Sequence, residues 1–202
     1  EPQDDKLWVK RIRNGIDNNL FHLTTQWVST TQELAKHGEV YEVLLALEDE
    51  EGFWAAPGSF MAAANRNHLA AEIDFWVIRS AVQYLSRHNQ TVDRLAYCCI
   101  NISGQSLTHP SLLDFIVETL QSNPLPPSKL CFEVNEDAIT EHPAEAQAFF
   151  ESLKSVGSGL SIDRFIGRNM SDLELMRRLP VDLVKLDAQQ FRQLPGDPLE
   201  MA

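Results

Sequence analysis

The sequence lacks two features that direct a chain into or across a membrane. No apolar run approaches the roughly 20 residues that a membrane-spanning helix needs. The first ten residues are charged and have no apolar core segment, so we expect no signal peptide. The composition, 44% hydrophobic and 23% charged residues, is typical of a globular protein. A chain of 202 residues is long enough to enclose one sizeable core.

Basic residues are scarce in this chain. There are 17 Lys and Arg against 29 Asp and Glu, which gives a formal net charge of −12. General nucleic-acid binding needs clustered Lys and Arg to neutralise phosphates, so the charge argues against that class of function. We interpret the excess of acid as a solvated acidic surface. A nucleotide site is compatible with it where bound cations or a few local basic groups face the phosphates.

Cysteine is also rare, with three residues at Cys98, Cys99 and Cys131 and no CxxC spacing. Cys98 and Cys99 lie side by side in an apolar run, where core packing is the expected role. The odd count indicates a reducing compartment and no disulfide framework. We therefore expect a cytoplasmic protein, or the cytoplasmic part of a larger, membrane-attached one.

Apolar residues follow two different periods along the chain. Helical spacing predicts helices, and short apolar runs rich in β-branched residues predict strands. The predicted helices are residues 8–18, 70–88, 110–120, 143–155 and 172–178. The predicted strands are residues 21–30, 40–47, 95–102, 130–134, a segment ending near Asp163, and residues 181–186.

Strands that alternate with helices through short loops favour a parallel sheet with crossover helices. The near-regular spacing predicts an α/β fold of the TIM-like (β/α) barrel type. A closed eight-stranded barrel takes about 250 residues. Six strands are predicted here, so we expect the C-terminal strands to be missing from this chain. Residues 1–19 would form a leading helix, either a connector or a cap on the barrel, and residues 20–202 an incomplete barrel domain.

Polar residues interrupt or end five of the predicted strands. They are Glu42, Asn101, Glu133, Asp163 and Lys185, each on a different strand. Active sites of parallel barrels assemble at the C-terminal face from several strand ends. Three carboxylates and an amide oxygen at that face would suit Mg²⁺, Mn²⁺ or Ca²⁺. Because the carboxylates repel one another, a cation or Lys185 has to compensate their charge.

Each of these polar residues also has a purely structural interpretation. The alternatives are a solvent-facing Glu42, a turn cap at Asn101, an exposed Glu133 or Glu136, an ion pair between Asp163 and Arg164, and a solvated Lys185. The recurrence of polar residues at successive strand ends favours one shared site over unrelated surface positions.

The segments around these residues resemble the EAL domain family of cyclic di-GMP phosphodiesterases. Tyr41-Glu42-Val43-Leu44-Leu45 is similar to the motif that names the family, with Val in place of Ala, and Gln26 matches the Gln of its first strand. Further similar segments are Pro57-Gly58-Ser59-Phe60, Asn101-Ile102-Ser103 with Leu107, Phe132-Glu133-Val134-Asn135-Glu136, and the stretch from Leu179 to Asp187. The resemblance covers residues 20–194.

This resemblance implies a site that binds cyclic di-GMP and hydrolyses it to linear di-GMP with two metal ions. It implies that Lys185 orients or activates the water, with Glu42 as its catalytic partner. It assigns the first metal ion, Mg²⁺ or Mn²⁺, to Glu42, Asn101, Glu133 and Asp163. It assigns ligand binding to Gln26, Glu42, Asn101 and Lys185.

The sequence departs from the family at positions that hydrolysis requires. Arg164 replaces the acid that binds the second metal ion, and an Arg cannot ligate a cation. Ala46 replaces an Arg that contacts a ligand phosphate. Residues 165–171 differ from the family's loop, which supports metal binding and dimer contacts. The expected missing strands would carry a further catalytic Glu.

Three functions are therefore compatible with the sequence. We rank first a degenerate EAL domain that does not hydrolyse and acts as a cyclic di-GMP sensor or signalling scaffold. The alternatives are a weakly active metal-dependent phosphodiesterase and a protein-interaction module that binds no nucleotide. By resemblance, an upstream sensory or GGDEF-type domain is the expected neighbour in a longer protein. The sequence leaves open whether the chain forms a homodimer.

Overall fold

One sheet organises the chain, of which the computed structural model describes residues 2–48, 51–167 and 170–186. Its strands are β1 Phe21–Trp27, β2 Glu39–Glu48, β3 Trp54–Ala55, β4 Leu95–Ile102, β5 Leu130–Asn135, β6 Gly159–Phe165 and β7 Leu183–Leu186. The helices are α1 Pro2–Asp17, α2 Gln32–Ala35, α3 Pro57–Arg66, α4 Ala70–Leu85, α5 Asn89–Arg94, α6 Gly104–Leu107, α7 Leu112–Gln121, α8 Glu136–Glu141, α9 Pro143–Val156 and α10 Met170–Arg178. All six predicted strands and all five predicted helices are therefore present, most of them with shifted ends.

The strands lie in the order β1-β2-β4-β5-β6-β7, with β3 paired to the end of β2. From β2 onward the main path is parallel, as the alternation of strands and helices predicts. The prediction is wrong for β1, which pairs with β2 antiparallel. The reason is length: residues 28–38 separate the two strands and contain one four-residue helix, α2. A parallel crossover needs a dozen or more residues.

The two faces of the sheet differ sharply because side chains alternate along a strand. The outer face packs against the helices, with Ile100, Phe132 and Ile162 in one core that also contains residues of α4 and α9. The inner face carries a smaller cluster of Val40, Cys99 and Cys131. The fold is thus the (β/α) barrel type that the sequence predicts.

The leading helix is longer than predicted and packs on the barrel. Ile12 of α1 is fully buried in the main core. At the surface, Arg66 of α3 donates two hydrogen bonds to Asp5, at 2.9 and 2.6 Å. These contacts favour a leading helix that caps the barrel over one that serves as a connector. The division of the chain at residue 20 stays a prediction. Within the described ranges, no helix is both long and apolar enough to cross a membrane.

The three cysteines are free and buried, and the packing role predicted for Cys98 and Cys99 is confirmed. Cys98 faces the main core, and Cys99 and Cys131 lie opposite each other across the β4–β5 ladder. Burial raises the pKa of the Cys98 thiol to about 12. A thiol with so high a pKa has little thiolate and is chemically inert.

Candidate functional site

Four of the five polar residues predicted at strand ends meet at one ammonium group. Nζ of Lys185 lies 2.6 Å from Oε2 of Glu42 and 2.9 Å from Oε2 of Glu133. It lies 3.8 Å from Oδ1 of Asp163. The fifth, Asn101, joins the group through Nδ2, which donates to Oε1 of Glu42 at 2.7 Å. We call these five residues the polar cluster.

A regular layering of the inner face brings the polar cluster together. On each of five strands, a small or apolar inward residue is followed two positions later by the polar one. The pairs are Val40 and Glu42, Cys99 and Asn101, Cys131 and Glu133, Ser161 and Asp163, and Leu183 and Lys185. Because residues i and i+2 share a face, the first residues of these pairs form a lower layer and the second residues form the polar layer above it.

Glu133 is the most enclosed acid of the polar cluster, with 1% of its surface exposed. Burial raises the pKa of Glu133, and the nearby charge of Lys185 opposes that rise. Its other oxygen, Oε1, is buried and accepts no hydrogen bond. Neither Glu133 nor its neighbour Glu136 is the surface residue that the structural alternative proposed, since both are buried.

Lys185 is a charged residue in an enclosed position. Burial by itself lowers the pKa of Lys185, but Glu133 and Glu42 together outweigh burial and raise the pKa above its usual value. The ammonium group therefore stays protonated and compensates the negative charge of the carboxylates. This is the role that the sequence predicts for a metal cation or for Lys185. Three carboxylates still face one ammonium group, so the polar cluster keeps an excess of negative charge whenever all three are ionised.

The oxygen donors of the polar cluster have the chemistry that a hard divalent cation prefers. Their arrangement does not fit one, because Nζ of Lys185 lies within hydrogen-bond reach of two of the carboxylates. Among the residues that the structure describes, no three His, Cys, Asp or Glu side chains are placed to hold a metal ion. A cation would need Lys185 to withdraw first, so the predicted first-metal site stays a prediction.

Arg164 follows Asp163 in an unusual backbone conformation. Its φ is +51°, a left-handed value that costs energy for a long side chain. The register between β6 and β7 shifts at this point, as at a β-bulge. The Arg164 side chain is 64% exposed, and its Nε lies 3.7 Å from Oδ2 of Asp163. The predicted ion pair is present, although it is long and open to water.

Glu136 has a role that the sequence interpretation missed. Its carboxylate accepts hydrogen bonds from the backbone N–H of Ile166 at 2.7 Å and of Gly167 at 3.0 Å. The bonds anchor the loop that begins directly after β6, close in sequence to Asp163 and Arg164. An acid placed three residues after Glu133 gave no signal that its partners would be backbone amides. The predicted loop changes at Arg168 and Asn169 lie outside the described residues.

Asp74 of α4 is a second residue that the sequence interpretation missed. Its Oδ2 accepts from the backbone N–H of Ser103 at 2.7 Å and from the hydroxyl of Ser106 at 2.6 Å. These bonds fix the turn that follows Asn101. Burial raises the pKa of Asp74 to about 6, although both serines oppose the rise.

We expect the stability of the protein to depend on pH through Asp74. A folded-state pKa near 6 lies above the usual pKa of 3.8 for an aspartic acid, so the stabilising contribution of Asp74 is greatest at low pH and is lost as the pH rises through 6. Lowering the pH from 7.5 to 5 should raise the free energy of unfolding by roughly 1–2 kcal/mol through this group. Urea unfolding of the wild type and of Asp74→Asn at both pH values measures the effect. An equal pH response in the two proteins would contradict it.

The remaining predicted residues lie on β1 and β2. Gln26 is directly opposite Glu42 in the antiparallel register, which places it on the same inner face. Ala46 lies further along β2 and is directly opposite His22. A cavity of about 500 Å³ opens beside the polar cluster, and Leu44, Pro57, Met61, Asn101, Asp163 and Arg164 are among the residues that line it. A small ligand can therefore reach the polar cluster.

A parallel (β/α) sheet with acids, an amide and a lysine at the strand ends defines a barrel protein with its site at the C-terminal face. The sequence profile of the EAL domain matches residues 9–202. The chain therefore belongs to the EAL domain family, which confirms the predicted family.

Known relatives carry the same domain within longer proteins. The chain is 32% identical over 181 residues to the cyclic di-GMP phosphodiesterase PdeB of Shewanella oneidensis, covering 89% of this chain and 21% of PdeB. It is 24% identical over 201 residues to the cyclic di-GMP phosphodiesterase PdeF of Escherichia coli, covering 99% of this chain and 26% of PdeF. The chain thus spans about a quarter or less of these relatives.

Solved structures of EAL domains share the fold. The crystal structure of the FimX EAL domain from Pseudomonas aeruginosa bound to cyclic di-GMP superposes with a TM-score of 0.83 at 26% identity. The match covers 96% of this chain and 76% of that domain. This agreement confirms the predicted TIM-like barrel of the EAL type.

Proposed function

We propose that this chain binds cyclic di-GMP without hydrolysing it and acts as a sensor or scaffold in cyclic di-GMP signalling. The observation that carries the proposal is Arg164, a cation where the family's second metal-binding acid stands. Its guanidinium group cannot be deprotonated in proteins and cannot ligate a metal ion. The residues expected to contact the nucleotide, Gln26, Glu42, Asn101 and Lys185, are retained in the sequence.

Binding is supported by the geometry of the polar cluster and its cavity. Lys185 and Asn101 present hydrogen-bond donors, and Gln26 lies on the same inner face. Arg164 borders the cavity and adds a second positive charge there. Together, Lys185 and Arg164 supply local basic groups that a phosphate needs on a chain whose net charge is −12.

The absence of hydrolysis is supported by two exchanges of charge. At position 164 a positive group replaces a negative one, which disfavours a second divalent cation nearby. At position 46 an alanine methyl group replaces the family's arginine, so one charge-assisted phosphate contact is missing. Such a contact contributes about 1.5–3 kcal/mol. Binding of Mg²⁺ or Mn²⁺ at one site remains a proposal.

The proposal predicts saturable cyclic di-GMP binding without turnover. Titration calorimetry of this chain should give one site with micromolar affinity, and the affinity should change little when Mg²⁺ is replaced by a chelator, because Lys185 already compensates the carboxylates. Chromatography of the same mixtures should show intact cyclic di-GMP after prolonged incubation with Mg²⁺ or Mn²⁺.

Other outcomes of this experiment select the alternatives. Formation of linear di-GMP with either metal ion would show a weakly active phosphodiesterase. Absence of binding in both conditions would favour a protein-interaction module. A Lys36→Met variant is a suitable control, because Lys36 forms an exposed ion pair with Glu33, which is not a member of the polar cluster.

The setting of the domain is part of the proposal. The chain covers 21% of PdeB and 26% of PdeF, which supports a place within a longer protein. We propose an upstream sensory or GGDEF-type domain as its neighbour and the cytoplasm as its location. Homodimer formation stays a prediction.

A further inference from the structure

Two aromatic rings from different strands stack at the mouth of the barrel. The ring of His22 on β1 and that of Trp54 on β3 lie 4.6 Å apart at an interplanar angle of 12°. Nε2 of His22 lies 2.7 Å from Oε2 of Glu48 on β2. Because an ionised carboxylate can only accept, Nε2 donates this hydrogen bond and the imidazole is held in one orientation.

The stack crosses over the strand between the two rings. β2 pairs with β1 on one edge and with β3 on the other, so the strands that carry the rings are about 9.5 Å apart. His22 is directly opposite Ala46, and Trp54 is directly opposite Glu48. The rings can meet above β2 because Ala46 presents a single methyl group there. A long side chain at position 46 would occupy the same space.

The stacked pair lies on the same face of the sheet as the polar cluster. Ala46 is four residues beyond Glu42 on one continuous strand, and residues an even number apart point the same way. The separation along the strand is about 13 Å, a span that a dinucleotide covers. Trp54 remains 57% exposed, so the indole face turned away from His22 is open to a ligand.

We propose that Trp54, backed by His22 and held through Glu48, is a stacking platform for a purine base. The bound base belongs to a nucleotide whose phosphate lies at the polar cluster, so the inference rests on the proposed binding function. Bases stack on aromatic side chains with little dependence on sequence, since every base presents a flat π-face. In this chain, stacking offsets the phosphate contact that is lost with the arginine at position 46.

The test is the affinity of four proteins for cyclic di-GMP, measured by calorimetry. Replacement Trp54→Ala should weaken binding by about 5- to 150-fold, the range expected for one stacked base. Trp54→Phe should keep most of the affinity, because a flat ring remains. Trp27→Ala is the matched control, since Trp27 is a 62% exposed tryptophan at the opposite end of β1.

Stability and salt separate a binding role from a structural one. Thermal unfolding of Trp54→Ala in the absence of nucleotide should match the wild type, and the loss of affinity should persist at high salt, where phosphate contacts weaken. Wild-type affinity in Trp54→Ala, or an equal loss of affinity in Trp27→Ala, would overturn the stacking platform and leave the proposed binding function standing. Failure of the wild type to bind would overturn the proposed function together with it.

Discussion

Replacing Lys185 with methionine should destabilise the protein by about 3 kcal/mol, the low end of the usual cost of removing one partner from a buried ion pair, because the Lys185 side chain keeps 21% of its surface exposed. The hydrocarbon stem is kept, so the change removes the ammonium group and its contacts at 2.6 and 2.9 Å to Glu42 and Glu133. The carboxylates would then face one another uncompensated. Urea unfolding at neutral pH, with Mg²⁺ chelated, measures this loss.

The same variant reveals whether the polar cluster can take a metal ion. With Nζ removed, millimolar Mg²⁺ should raise the thermal midpoint of Lys185→Met more than that of the wild type. Lys36→Met is the matched control, because it breaks an exposed pair of the kind that contributes roughly 1 kcal/mol or less. A Lys185→Met variant as stable as this control would contradict the charge-compensating role.

Replacing Glu136 with alanine should cost roughly 3 kcal/mol and release the loop after Asp163. The change removes two charge-assisted bonds, from the amides of Ile166 and Gly167, each contributing about 1.5–3 kcal/mol. Amide hydrogen exchange at Ile166 and Gly167 should become faster than in the wild type. Cyclic di-GMP binding should weaken as well, because Arg164 and Asp163 lose their support.

Two further variants sharpen the Glu136 experiment. Glu136→Gln retains an acceptor oxygen and should lie between the wild type and Glu136→Ala in stability. Glu141→Ala changes an exposed acid at the end of the same helix and should have little effect. Unchanged amide exchange in Glu136→Ala would show that the loop is held by other contacts.

The spacing of apolar residues is sufficient to predict the helices and strands that bury a continuous apolar stripe or run. The apolar run at residues 95–102 predicts a strand, and β4 is Leu95–Ile102. A short apolar run between polar turns is typical of a buried strand. Short helices such as α2 and α6 have four residues each and give no periodic signal. The antiparallel direction of β1 does not follow from periodicity, because the alternation of apolar and polar residues is the same for both strand directions.

The polar cluster was predictable for a physical reason. A charged residue inside an apolar strand is costly unless it has a partner, so Glu133 and Lys185 signal a site by their placement alone. The stack of His22 and Trp54 could not be predicted in this way, because it depends on the register of three strands and on a small residue at position 46. The backbone N–H partners of Glu136 could not be predicted from residue type either, because every residue type except proline can supply a backbone N–H.

The contact between Lys185 and Glu42 joins residues 143 positions apart in the chain. Closing a loop of this length costs conformational entropy, so we expect this pair to form late in folding. A nucleotide that bridges β2 and β7 binds the finished barrel and not its precursor. At 100 times its dissociation constant, such a ligand would add about 2.7 kcal/mol to folding stability. Bound cyclic di-GMP would then stabilise β7 in its folded position, and the nucleotide concentration would shift the equilibrium between the folded and the unfolded barrel.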